Sequence, residues 1–368
     1  MPRIYPKTKY LQKFGTPEES EEARSNFYHE PWISAASNGK VLYNVDTSKW
    51  LKQYLTFKIL SSGVICWKSK SLPKTIEYRI NGGNWTSLTS TASGATFSVS
   101  VGDTVEFRGN NEGYATSQSA YSYFNGTTAR FIAKGNIMSL INSEDFENST
   151  SLVGWAFSCL FYGCSTLVDA YQLLLPATEF TTSSTMTTAQ AAYRMMFQDC
   201  SNLERGPMEL PVLTLKGASY EMMFYGCSKL IQAPEIKATF VGGYSLGHMF
   251  YHCSSLLAPP PYIIADNNNQ GYGMKCMFQG CTSLTYSPYI DIQNPGIQFF
   301  NQTFNGCSSL KKITCVITKL NASDEFHSWV SGVPSTGEFI KHPSANWSRG
   351  NNGIPTGWTV TDADIPQS

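Results

Sequence analysis

The phrase Phe-x-x-Cys-Ser/Thr-x-Leu occurs six times in this chain of 368 residues and constrains its fold more than any other feature. Its core residues are Phe161, Cys164 and Leu167, Phe197, Cys200 and Leu203, and Phe224, Cys227 and Leu230. They continue as Phe250, Cys253 and Leu256, Phe278, Cys281 and Leu284, and Phe304, Cys307 and Leu310. The cysteines step by 36, 27, 26, 28 and 26 residues. A period of that length marks one supersecondary unit stacked on copies of itself, because a single unit cannot bury its own apolar face.

Within a unit, a bulky residue stands four before the phenylalanine: Phe157, Tyr193, Tyr220, Leu246, Met274 or Phe300. The residue just before it is Leu160, Met196, Met223, Met249, Met277 or Thr303. Apolar positions spaced this way fit one face of a short helix or 3₁₀ turn. The leucine then opens an extended stretch, and Pro207, Pro234, Pro260 and Pro288 mark its end, since proline cannot donate to a ladder. Each repeat therefore predicts a helical turn, a bend at the cysteine and one strand, with the strands joined in a parallel sheet at about 4.8 Å spacing. The 36-residue first step predicts an insertion near 181–188.

The cysteines read as packing residues. A disulfide framework shows irregular pairs, whereas here each repeat supplies one cysteine, and no C-x-x-C pair offers a metal site. His248 and His252, four apart, are the strongest metal hint, but no H-E-x-x-H motif accompanies them. No P-loop, nucleophile elbow or dinucleotide fingerprint is present. The sequence predicts no cofactor, no metal and no catalytic residue.

Ahead of the repeats, residues 46–142 read as a β-sandwich. Tyr54–Ile59 and Ile76–Ile80 alternate at period two, and Asn81-Gly82 is a strong hairpin signal. Phe97–Val99 and Thr104–Phe107 flank a second turn at Gly102-Asp103. The fold class predicted is thus β-rich, of the α+β repeat type: a β-sandwich followed by a short leucine-rich-repeat solenoid over 143–318. Residues 319–368, with Trp329, Trp347 and Trp358, read as an aromatic cap on the array. Residues 1–45 read as an arm carrying Tyr5, Tyr10, Phe14, Phe27 and Trp32, too many aromatics for a linker. The arm either docks on another protein or folds back on its own chain.

Lys+Arg and Asp+Glu both number 27, which disfavours a nucleic-acid partner. No apolar run reaches the ~18 residues of a membrane span, and no apolar core follows the basic residues at the N-terminus. With 15% charged and 13% aromatic residues, the composition is that of a surface protein without an export signal. Phage structural proteins, made in the host cytoplasm, share that combination.

Met249-Phe250-Tyr-His-Cys253-Ser-Ser-Leu256 and Met277-Phe278-Gln-Gly-Cys281-Thr-Ser-Leu284 resemble the BspA-like leucine-rich repeats of Bacteroides-type bacteria and their phages. Tyr78–Thr86, Val101–Asn110 and the ending Gly353-Ile-Pro-Thr-Gly-Trp-Thr are also similar to that family, so the resemblance covers roughly residues 50–360. It departs at Thr303, where methionine is usual, and at Thr314, where proline is expected. The resemblance implies a non-enzymatic surface protein. With no export signal, it points to a phage virion appendage, such as a tail fibre or head fibre, that attaches to host surface glycan or protein. The alternatives are a bacterial cell-surface adhesin whose signal was removed and, third, a glycan-active enzyme. Expected partners are other virion proteins through the arm, a host surface ligand, and a possible homo-oligomer, with no membrane insertion. Tyr171, Tyr244, Tyr262, Tyr272, Tyr286 and Tyr289, all outside the core phrase, are the candidate surface contacts. The other reading of these tyrosines is that they cover the solenoid flank without a ligand.

Overall fold

A computed structural model describes residues 47–181, 190–266, 271–320 and 324–364. The arm residues Tyr5, Tyr10, Phe14, Phe27 and Trp32 lie outside these, as does most of the insertion near 181–188. The described chain is β-rich with almost no helix and forms a β-solenoid of about seven turns.

Among the described residues a four-residue helix, α1 (Ser48–Leu51), precedes nine strands: β1 (Leu55–Ile59), β2 (Gly63–Lys70), β3 (Thr75–Ile80), β4 (Thr86–Thr89), β5 (Ala95–Val99), β6 (Thr104–Arg108), β7 (Ala115–Ser117), β8 (Ala120–Phe124) and β9 (Phe131–Asn136). One antiparallel sheet runs β9-β1-β6-β3-β4 and another β5-β2-β8-β7. Asn81 and Gly82, at φ 51° and 73°, close the β3–β4 hairpin. The Gly102-Asp103 turn instead carries the chain from one sheet to the other, because β5 and β6 belong to different sheets. Rings from both sheets meet at Phe124, whose centroid lies 4.9 Å from Phe57 and 5.2 Å from Phe107.

The solenoid contains β10 (Ser151–Val153), β11 (Leu167–Asp169), β12 (Leu173–Leu174), β13 (Glu179–Thr181), β14 (Glu209–Leu210), β15 (Thr214–Leu215), β16 (Glu235–Ile236), β17 (Phe240–Val241), β18 (Tyr262–Asp266), β19 (Tyr286–Gln293), β20 (Lys312–Cys315), β21 (Glu338–Lys341) and β22 (Thr359–Asp362). Its main sheet, β15-β17-β18-β19-β20-β21-β22, is parallel throughout. The first coil joins the preceding module directly, since β11 and β12 pair parallel to β9. Inward residues repeat in register: Ile263 opposes Ile290 and Ala265 opposes Ile292, all buried.

The predicted helical turn is not there. The segment leading to each cysteine is a run of overlapping turns in which every fourth residue is left-handed. Trp155, Cys159 and Gly163 lead to Cys164, and Tyr244, His248 and His252 lead to Cys253. In the six cysteine coils these residues have φ between 51° and 75°, which no right-handed helix allows. Alternate N–H groups close turns, as from Cys164 to the Phe161 carbonyl at 3.0 Å. The others reach the next coil, as from Phe250 to the Met277 carbonyl at 2.9 Å. The apolar period is therefore four, and over eight residues that differs from 3.6 by less than half a residue per turn.

Two stacks of side chains run through the core. Phe161, Phe197, Phe224, Phe250, Phe278 and Phe304 lie nearly parallel at centroid spacings of 5.3–5.5 Å. The thiols of Cys200, Cys227, Cys253, Cys281 and Cys307 each donate to the phenylalanine carbonyl one coil back, at 3.0–3.1 Å. Burial pushes these thiols up from their ordinary value. The two departures from the repeat also find partners. The Thr303 hydroxyl donates to the Phe300 carbonyl at 2.8 Å, and the Thr314 N–H, which proline would lack, donates to Ser287 Oγ at 2.9 Å. None of the four prolines ends a named strand: Pro207, Pro234 and Pro260 stand just ahead of β14, β16 and β18, and Pro288 sits inside β19, where the pairing with β20 shifts register.

Residues 326–333 form a seventh coil without the phrase. Ser328 and Gly332 are left-handed, Phe326 stacks on Phe300 at 5.0 Å, and the Phe304 N–H donates to the Trp329 carbonyl at 2.7 Å. Trp329, Trp347 and Trp358 then close the core.

Candidate functional site

The phenylalanine, cysteine and leucine of each phrase are buried, so the surface is formed by the residues between the phrases and by their variable positions. The six tyrosines separate into three places. Tyr244 and Tyr272 occupy equivalent left-handed positions at the start of two adjacent turn segments, where their rings stack at 4.7 Å and 7°. Tyr244 is 38% exposed, and Lys275 Nζ lies 5.4 Å from the Tyr272 ring centroid. Tyr262 and Tyr289 face each other across β18 and β19. Tyr262 donates its hydroxyl to Glu235, a buried carboxylate that also pairs with Lys237 at 2.6 Å. Tyr289 is only 6% exposed, so it belongs to the sheet rather than to the surface. Tyr286, paired with Lys312, stands beside it on β19. Tyr171 lies apart, under Arg205 at 5.0 Å, and Arg205 is held by Asp169 at 2.5 Å. Burial pushes the Asp169 carboxyl up against the pull of Arg205.

The turn face holds a second tyrosine pair that sequence reasoning passed over. Tyr225 and Tyr251, each just after a core phenylalanine, stack at 4.7 Å and 5°. The signal was available in the recurrence of Phe-Tyr at 161–162, 224–225 and 250–251, but it lay inside a phrase read as core. In both pairs the stacking covers ring faces. Such a surface offers hydrogen bonding on a rigid lattice more than open aromatic platforms.

The module before the repeats covers only the first part of this face. Ala115 and Tyr121 of the β7–β8 hairpin pack on Cys159, with Tyr123, Trp155, Tyr162 and Met195 around them. With its amide oriented to match, Gln118 accepts from Arg194 Nη1 at 3.0 Å. Arg194 in turn pairs with Glu221 at 2.6 Å, the two side chains being 7% and 13% exposed. The pairs Tyr225–Tyr251 and Tyr244–Tyr272 lie on later coils, beyond that cluster. Between them His248 is partly buried, and burial, with the charges of Lys275 and Arg194, holds its imidazole below the ordinary value. His252 contacts Tyr251 edge-on at 4.4 Å.

Among the described residues no group of three or more His, Cys, Asp or Glu could hold a metal ion, and no helix is long and apolar enough to cross a membrane. Comparison with protein-family models, curated proteins and solved structures finds no match to this chain.

Proposed function

We propose that this chain is a non-enzymatic adhesion protein, an appendage of a phage virion, whose solenoid presents the turn face of its middle coils to a host surface glycan or protein. The observation that carries this reading is the pair of tyrosine stacks, Tyr225–Tyr251 and Tyr244–Tyr272, repeated at the coil spacing outside the cluster under the β7–β8 hairpin. A stack of hydrogen-bonded coils holds such side chains in fixed positions, which lowers the entropy lost on binding. In the same reading, the two facing sheets of residues 47–136 form a β-sandwich that serves as a spacer, and the arm joins the chain to other virion proteins.

Two measurements test it. Mass spectrometry of purified phage particles should detect the chain as a stoichiometric component; its absence there, with presence on the bacterial envelope, would identify a cell-surface adhesin instead. Labelled protein should bind host cells, and the triple substitution Tyr244→Ser, Tyr251→Ser and Tyr272→Ser should reduce that binding at least about tenfold while leaving the circular dichroism unchanged. Unaltered binding by the triple variant would overturn the assignment of the turn face.

A further inference from the structure

The far end of the solenoid carries an open cavity of about 460 Å³, lined in part by exposed side chains. Lys341, Ser344, Asn346, Trp347, Arg349 and Val360 are among its lining residues. Two cations and an aromatic ring thus share one concave wall with short polar side chains, and no carboxylate is among the described lining residues. Lys341 is balanced by Asp362 at 2.8 Å. Arg349 donates to two backbone carbonyls, those of Trp358 at 2.8 Å and Pro355 at 3.4 Å, which fix the guanidinium without neutralising it.

Trp347 supplies the aromatic part of this wall. Its ring stacks on Trp329 at 5.4 Å and meets the edges of Phe326 and Phe339. The part of the indole left uncovered by these three rings lines the cavity. Its N–H is buried and has no hydrogen-bond partner. The other capping indoles are satisfied: Trp329 donates to the Gly353 carbonyl and Trp358 to the Pro334 carbonyl, both at 2.7 Å.

We propose that this cavity binds a carboxylate-bearing saccharide, such as a uronic or sialic-type sugar residue, with the carboxylate on the Arg349 guanidinium and the sugar ring against Trp347. A guanidinium suits a carboxylate through parallel N–H···O bonds. Ser344 and Asn346 supply donors and acceptors for hydroxyls. The inference draws on the adhesion reading for the class of ligand, but it concerns a different part of the molecule from the tyrosine stacks.

The full chain is titrated with glucuronic acid, N-acetylneuraminic acid, glucose, N-acetylglucosamine, acetate and a short acetylated peptide, followed by tryptophan fluorescence and saturation-transfer NMR. The acidic sugars should bind saturably and about tenfold more tightly than the other probes, the difference one charge-assisted contact supplies. Ser344→Trp, at an exposed position, should fill the cavity and abolish the binding with an unchanged circular dichroism spectrum. Arg349→Gln should remove the preference for acidic over neutral sugars. Absence of saturable binding, equal binding of acetate or peptide, or full binding by Ser344→Trp would overturn the proposal. Cell binding of the Tyr244, Tyr251 and Tyr272 triple variant is read separately, so failure at the cavity and failure of the adhesion reading give different results.

Discussion

The residue just before each cysteine shows how much the backbone demands of single side chains. In the six cysteine coils it is Gly163, Asp199, Gly226, His252, Gly280 and Gly306, always left-handed. A left-handed non-glycine residue costs about 1–2 kcal/mol, partly offset by the extra entropy glycine loses on folding. His252→Gly should therefore stabilise the protein by about 0.5 kcal/mol in urea denaturation. Gly280→Ala should do the opposite by more than ~1 kcal/mol, because a Cβ there meets His252 Nδ1 at 2.9 Å as well as the unfavourable φ. His248 sets a pH dependence. Its folded pKa lies below the ordinary 6.5, so on acidification the unfolded chain takes up that proton first. Stability is then unaffected above the ordinary value and falls as pH drops through it toward the folded value. His248→Gln, matching Gln302 in a later coil, should flatten that part of a stability–pH curve measured by thermal denaturation; an unchanged slope would exclude His248 as its source.

At the scale of the element, the phenylalanine stack behaves as one object. Phe250 has a parallel ring on each side at 5.5 Å, from Phe224 and Phe278. Phe250→Ala should cost about 3–5 kcal/mol, and Phe250→Leu about 1–2 kcal/mol, measured by chemical denaturation. That these phenylalanines stack was legible from the period of their phrase alone. The conformation between them was not. Residues four apart, such as Phe157 and Phe161, suit a helix and a run of four-residue turns alike, and only the glycines before the cysteines hinted at left-handed backbone. The strands were legible in neither number nor form: one per repeat was expected, whereas the repeats of Cys200 and Cys227 carry two each, β14 with β15 and β16 with β17. Proline at 207, 234 and 260 separates short ladder pieces, whereas Pro288 sits within an eight-residue strand and its register shift. With no sign of that shift in the sequence, Tyr289 looks like a surface residue although it is buried. The Asn81-Gly82 hairpin depended only on local turn chemistry and could be read directly. The cavity could not, because Lys341, Trp347, Arg349 and Val360 come together only when β21 and β22 extend the sheet.

For the whole molecule, coils are additive units. Cys227 and Cys253 are equivalent and 26 residues apart, so deleting residues 228–253 joins two equivalent positions. The shortened chain should fold cooperatively, with lower stability and a denaturant m-value reduced in proportion to the surface lost. Deleting only 228–240 would put unlike positions side by side and should abolish folding, as judged by loss of near-ultraviolet circular dichroism. The seventh coil belongs to the same scale. Gly332 follows Gly306 by 26 residues, and Phe326 follows Phe300 by the same step, yet without cysteine the repeat was not recognisable.

The bonds from each turn segment to the next coil, such as Phe224 N–H to Met249 at 2.9 Å, run along the axis of the stack. A load applied between the two ends therefore strains one coil boundary at a time, instead of shearing many bonds together. Under tension the solenoid should peel from a free end in discrete steps. A 26-residue coil releases about 90 Å of extended chain at ~3.4 Å per residue, and the 36-residue first coil about 120 Å. Single-molecule stretching should show that uneven ladder of lengths. A protein that yields in this way can lengthen under drag while the coils still stacked keep their surface intact.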